Sequence, residues 1–278
     1  MADYAMRNLH LYLDEELASA KSESQIKQAI ERSFDRVEED VIKMAEKPFK
    51  FGFSKVANTG SCALVAIVHD DKLYVANAGD CKATVLRKTE DGKSFTNVDI
   101  SKTFSANKSY EQERLKKTWP NDPNIFVCRS ERACYVKNGL MPSRAFGDLR
   151  LKMKEFNYHS FSPEHGYRRP IPDFEGPYIT HKPDIKVHTI DPKDKWLVLA
   201  SDGLWDEMKR KDSARMVDPQ QENQNEILQL WLKKAIEHAR NEANLSKEFL
   251  QSVPPGPRRR EIHDDITILL INLENQLK

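Results

Sequence analysis

Apolar residues recur every three or four positions through the first fifty residues of this chain. Beyond them the spacing shortens to that of strands. Met6, Leu9, Leu13 and Leu17 fall on one face of a predicted helix. Ser22 and Gln25 have the spacing of a capping box. Behind them Ile26, Ile30, Phe34, Val37 and Val41 form a second apolar stripe, opposite a face of Lys, Glu, Asp and Arg. Both stripes read as core. After Pro48 the nearly continuous apolar run 62–68, the segment 73–77 and the segment 83–86 are separated by Asp70-Asp71 and Gly79-Asp80, which predicts an antiparallel meander. A short helix is expected over 110–117, stopped by Pro120. Residues 151–183, with five prolines and several aromatics, read as a long ordered insertion. Strands at 185–190 and 196–200, a short helix at 211–216, a long helix at 226–243, a Pro-Arg loop at 253–260 and a buried closing strand at 266–271 complete the reading. No internal repeat is visible. This order of helices and strands indicates an α+β fold with sheet packed on sheet.

Composition narrows the class. The 278 residues are 39% hydrophobic and 31% charged, enough apolar material for one large core. Lys and Arg number 44 against 43 Asp and Glu, a net charge of +1 without a long basic run, which argues against a nucleic-acid partner. No apolar run approaches the ~18 residues of a membrane span, and the opening residues resemble neither a secretion signal nor a transit peptide. Cys62, Cys81, Cys128 and Cys134 show no C-x-x-C pairing and read as reduced intracellular thiols. The expected placement is cytoplasmic, with mitochondrion and nucleus left open. The eight histidines lack metal-ligand spacing, so zinc is not expected. Without a G-x-x-x-x-G-K-[ST] loop or a G-x-G-x-x-G after a strand, a nucleotide-binding protein is disfavoured.

Three aspartates stand out. Asp80 follows one apolar strand, Asp202 follows another, and Asp264 precedes a third, with Gly79 and Gly203 beside the first two. Carboxylates gathered at a sheet rim repel one another unless a hard divalent cation compensates them. A single such Asp is more often a cap or an Asx turn. The surrounding segments raise the metal reading. Thr59-Gly60-Ser61-Cys62-Ala63 with Val75 through Asp80, Ser143 through Asp148, Ala200 through Asp206, and Asp264-Asp265-Ile266-Thr267 resemble, in order, motifs of the metal-dependent protein phosphatases of the 2C type. Met141 through Phe146, Tyr167 through Pro172 and Pro177 through Thr180 are similar to the pyruvate dehydrogenase phosphatase branch of that family.

The resemblance implies a single 278-residue domain: a four-layer α-β-β-α sandwich of two antiparallel sheets with flanking helices, and a flap over about 103–138. It implies hydrolysis of phosphoserine and phosphothreonine in protein substrates, with Mg²⁺ or Mn²⁺ in a two-metal centre. Asp202 and Asp264 match ligands of that centre. Asp80 matches a ligand that, with Asp202, serves a third, weaker metal. Arg144 and Asp148 are expected to tie loops together or to contact substrate. The basic run Arg258-Arg259-Arg260 reads mainly as solvated surface. No Asp-Gly-His-Gly-Gly segment occurs in the chain. In the family it carries a bridging Asp, a carbonyl ligand and the general acid, and an Arg that holds the phosphate lies upstream of it. The expectation is therefore a truncated phosphatase lacking its N-terminal strands, with weak metal binding. The alternative is an inactive pseudophosphatase acting as a binding scaffold.

Overall fold

Ser22 caps the start of a long helix: its hydroxyl accepts from the Gln25 backbone N–H at 3.3 Å, and the Gln25 side chain accepts in return from the Ser22 N–H at 3.1 Å. The computed structural model describes residues 1–131, 133–157 and 170–274. They fall into two units, residues 1–65, 76–80 and 103–185 in the first and 66–75, 81–102 and 186–278 in the second.

The first unit opens with α1 (Ala2–Leu17) and α2 (Glu23–Lys50). The buried face of α1 is Ala5, Leu9 and Leu13, while Met6 is 68% exposed, a correction to the expected stripe. The i, i+4, i+8 row of Ala5, Leu9 and Leu13 faces inward, and Met6, about 100° further round, turns outward. In α2, Ile26, Ile30, Phe34, Val37 and Val41 are all buried. Phe34 meets Phe146 with ring centroids 5.1 Å apart. Phe146 lies in β8 (Phe146–Gly147), which pairs antiparallel with β1 (Gly60–Ser61).

The segment read as a flap contains α3 (Ser109–Thr118) and a hairpin of β6 (Phe126–Ser130) and β7 (Ala133–Val136). Leu115, Ile125, Val136 and Tyr178 share its small core. The register sets Cys128 opposite Cys134, with Cα atoms 3.9 Å apart, and the two are joined in a disulfide. This corrects the expectation of four reduced thiols: spacing along the chain did not reveal that a hairpin folds these two together. Cys62 and Cys81 are free thiols. Of the insertion over 151–183, residues 158–169 lie outside the described residues, and with them Tyr167, Arg168 and Arg169 of the branch motif.

In the second unit, β10 (Asp194–Ala200) is buried at every position. It lies between β11 (Ile268–Asn272) and β4 (Lys82–Lys88), and β5 (Phe95–Asp99) closes the sheet in the order β11-β10-β4-β5. Val198 sits opposite Leu270 on one side and Thr84 on the other. The alternate residues Trp196, Val198 and Ala200 face a core shared with Ile227, Trp231 and Ala235 of α6 (Gln224–Glu242). Those three recur at four-residue spacing, so one helical stripe meets one pleated face. Ala214 of α5 (Arg210–Arg215) and Leu204 of α4 (Asp202–Trp205) join the same core.

A three-stranded sheet has the order β2 (Ala63–His69), β3 (Lys72–Ala78), β9 (Asp184–Thr189). The expected meander therefore breaks after β3, because β4 joins the other sheet beside β10. The closing strand is an edge strand with Leu269 56% exposed, not a buried one. The segment expected as a loop over 253–260 holds one helical turn, α8 (Pro257–Arg260), after α7 (Lys247–Ser252). Pro257 suits a first helical position because its missing N–H is not needed there. The architecture is α+β with several antiparallel sheets. Among the described residues no helix is long and apolar enough to cross a membrane.

Candidate metal centre

β10 ends at Ala200, and the chain turns at Ser201 into α4, whose first residue is Asp202. Ser201 fixes this turn against the segment that precedes β11. Its N–H donates to the Thr267 carbonyl at 3.1 Å. Its hydroxyl donates to the Asp265 carbonyl at 3.1 Å and accepts from the Thr267 N–H at 3.1 Å. Gly203 permits the approach, since a Cβ there would meet the Asp265 oxygen at 2.4 Å. Asp202 and Asp264 are thereby held in electrostatic contact. Burial, then Asp264, then Asp206 push the Asp202 carboxyl above its ordinary range. The Gly203 N–H donates to Asp202 Oδ1 at 2.9 Å and opposes that shift. Arg260 reaches Asp264 Oδ2 at 2.9 Å from one turn upstream.

Asp80 belongs to the first unit. Its Oδ1 accepts from the Cys62 thiol at 3.2 Å. Gly79 has φ of +146°, and a Cβ on it would lie 2.3 Å from Cys62 Sγ, so glycine serves both the backbone angle and the close packing. Asp148, in the same unit, has φ of +48°. Its N–H donates to the Thr59 carbonyl at 3.0 Å, and its Oδ2 occupies the space where a Cβ on Gly60 would project. The Arg144 guanidinium lies 3.9 Å from the Phe104 ring centroid, and its Nη1 donates to the Lys182 carbonyl at 2.7 Å. Burial, then the nearby Arg114, push the Arg144 guanidinium below its ordinary value.

Beneath this loop lies a buried pair that the sequence reading missed. Lys152 Nζ donates to Glu38 Oε1 and to the Ala145 carbonyl, both at 2.6 Å. Glu38 Oε2 accepts from the Gly147 N–H at 2.9 Å. Glu111 is the second such anchor: it receives the Ser143 hydroxyl at 2.5 Å and two donors from Arg114. The only advance signal was an acid inside each helix at a position its apolar stripe leaves inward-facing.

Asp202 and Asp264 bring carboxylate oxygens together that could hold a hard divalent cation such as Mg²⁺ or Mn²⁺. Among the described residues, no group of three or more His, Cys, Asp or Glu is arranged to hold a metal. A cation at this pair therefore needs further oxygens, such as water or backbone carbonyls, to complete its shell.

The family model described as protein phosphatase 2C matches residues 1–245. Probable protein phosphatase 2C 64 of Arabidopsis thaliana is 30% identical over 273 residues, covering 97% of this chain and 66% of that protein. Probable protein phosphatase 2C 48 of the same plant is 32% identical over 244 residues, covering 88% of this chain and 62% of that protein. The chain thus spans about two thirds of the length of these relatives. Among solved structures, the serine-threonine phosphatase 2C from Toxoplasma gondii superposes with a TM-score of 0.59 at 15% identity, over 97% of this chain and 81% of that one. A C. elegans sex determining protein gives the same TM-score at 18% identity, over 85% of this chain and 50% of that one. At such identities the structures speak for the fold alone; the match over residues 1–245 goes further, and by it the chain belongs to the protein phosphatase 2C family.

Proposed function

We propose that this chain is a metal-dependent phosphatase domain acting on phosphoserine and phosphothreonine in proteins. The observation that carries the reading is the Asp202–Asp264 pair, brought together by Ser201 and Gly203 at the ends of two neighbouring strands. Asp202 and Asp264 would hold Mg²⁺ or Mn²⁺, and the chemistry the ion would supply there is Lewis-acid activation of water and neutralisation of phosphate charge. The chain's own part is to hold the two carboxylates aimed at one place. Since the Asp202 carboxyl is raised by burial and by Asp264 and Asp206, protons compete with the cation, and affinity falls as the solution is acidified. The motif match assigns Asp80 to a weaker cation site. Arg144, bonded to a carbonyl and stacked on a ring, and Asp148, seated over Gly60, support their loops.

Calorimetric titration with Mn²⁺ tests the reading without relying on turnover. The unsubstituted chain should bind, and Asp202→Asn should lose at least ~10-fold in affinity. Release of phosphate from a phosphothreonine peptide should depend on Mn²⁺ and disappear in the same variant. Identical titrations of both proteins would show Asp202 to be a turn residue only.

A binding scaffold of the same fold is the second reading. Peptide binding without any Mn²⁺-dependent phosphate release would select it.

A further inference from the structure

An open cavity of about 480 Å³ lies in the second unit beside the Asp202 turn. Its wall carries four cations, Lys82, Lys209, Arg210 and Lys211, and one acid, Asp99. Arg210 and Asp99 pair with each other. Lys209 and Lys211 are exposed, and among the described residues neither makes a salt bridge. The acids nearest to them in sequence, Glu207 and Asp212, do not line the cavity, and Glu207 pairs with His238 at 2.8 Å. Lys209 and Lys211 therefore face the opening without a salt bridge among the described residues.

Trp205 adds a flat apolar wall. Its indole N–H donates to the Lys82 carbonyl at 3.3 Å, which fixes the ring half-buried. Met208 is buried behind it. Lys82 stands opposite Ala200 in the β10–β4 ladder, two residues before Asp202. The cavity thus opens at the strand end that carries Asp202.

We propose that this cavity docks an acidic segment of a protein partner, with Lys209 and Lys211 pairing its carboxylates and Trp205 covering its apolar stems. It rests on the phosphatase reading only in taking that partner as the phosphoprotein substrate, whose acidic flank would sit beside the Asp202 turn. A small anion is normally held by walls on most sides. Here the free cations stand on an open rim, which suits an extended chain that brings several carboxylates at once.

The test uses the full chain, without Mn²⁺, and a fluorescein-labelled Glu-rich peptide that carries no phosphate. Anisotropy should report binding that weakens as salt is raised. The double variant Lys209→Gln/Lys211→Gln should bind roughly tenfold more weakly, two exposed ion pairs being lost. A peptide with Gln in place of Glu should fail to bind. Both lysines are exposed, so the variant should melt with the parent. Equal binding by the double variant, equal binding of the Gln peptide, or equal competition by free glutamate at matched carboxylate concentration each overturns the proposal. A chain that binds the Glu peptide but releases no phosphate from a phosphopeptide upholds the docking site and removes the phosphatase reading.

Discussion

Gly203 and the carbonyl of Asp265 stand too close for any side chain between them: a Cβ on Gly203 would lie 2.4 Å from that oxygen and 3.3 Å from the Asp264 carbonyl carbon. The obstacle is backbone, so it cannot swing aside. Gly203→Ala should push the α4 turn away from the segment before β11 and cost ~1–3 kcal/mol of stability. Because that turn also aims Asp202 toward Asp264, Mn²⁺ affinity should fall with it. Chemical denaturation and Mn²⁺ calorimetry read the two effects. A variant with unchanged stability would show that the turns separate freely.

Ser201 holds the same two segments from the other side. Ser201→Ala removes a hydroxyl that donates to one backbone carbonyl and accepts from one backbone N–H. The expected cost is ~1–2 kcal/mol. Thr retains the hydroxyl, so Ser201→Thr should recover much of the loss in thermal unfolding. If Thr is no better than Ala, the hydroxyl is not what joins the segments.

Lys152 and Glu38 are 8% and 2% exposed, and burial pushes the Lys152 ammonium below its ordinary value despite Glu38 beside it. Lys152→Met leaves Glu38 charged and buried, which should cost ~3–5 kcal/mol. The double variant Glu38→Gln/Lys152→Met removes both charges and keeps an acceptor for the Gly147 N–H. It should be the more stable of the two, by at least ~1 kcal/mol in urea unfolding.

Asp194 makes acid stability predictable. Burial alone would raise its carboxyl, but His188 at 2.7 Å and the Arg87 fork at 2.6 and 3.1 Å outweigh burial and lower it to about 2. A carboxyl whose pKa is lower when folded stabilises the protein above its unfolded pKa, and that contribution fades as pH falls through the folded value. The window runs from roughly pH 4 down to about pH 2, with ~2 kcal/mol at stake. Melting curves across this range should show the loss, and Asp194→Asn should flatten it.

Asp148 adopts a left-handed backbone angle, φ +48°, that asparagine tolerates and alanine resists. Asp148→Ala should therefore be less stable than Asp148→Asn by ~1 kcal/mol in thermal unfolding. Equal losses would place the residue's contribution in its charge alone.

The helices were legible because their signals are local. Ser22 and Gln25 are three residues apart, and the stripe from Ile26 to Val41 repeats with the helix itself. The apolar strands β2, β3, β4, β9, β10 and β11 were legible for the same reason, whereas β5, β6 and β7, whose residues are mixed and polar, were not; Asp80, Asp202 and Asp264 stood out because apolar runs adjoin them, with glycines beside the first two. Partner choice was not local. β3 and β4 are neighbours in the chain yet belong to different sheets, since each finds its apolar complement in β9 or β10, more than a hundred residues later. Met6 carries an apolar side chain on the wrong side of α1, and only the packing of α1 on α2 reveals that. Cys128 meets Cys134 through hairpin register. Ser201 reaches Asp265 across 64 positions, and Lys152 reaches Glu38 across 114. Short-range periodicity decides which elements form; the pairing of buried polar and apolar surfaces far apart in the chain decides where those elements go, and so which carboxylates come to share a field.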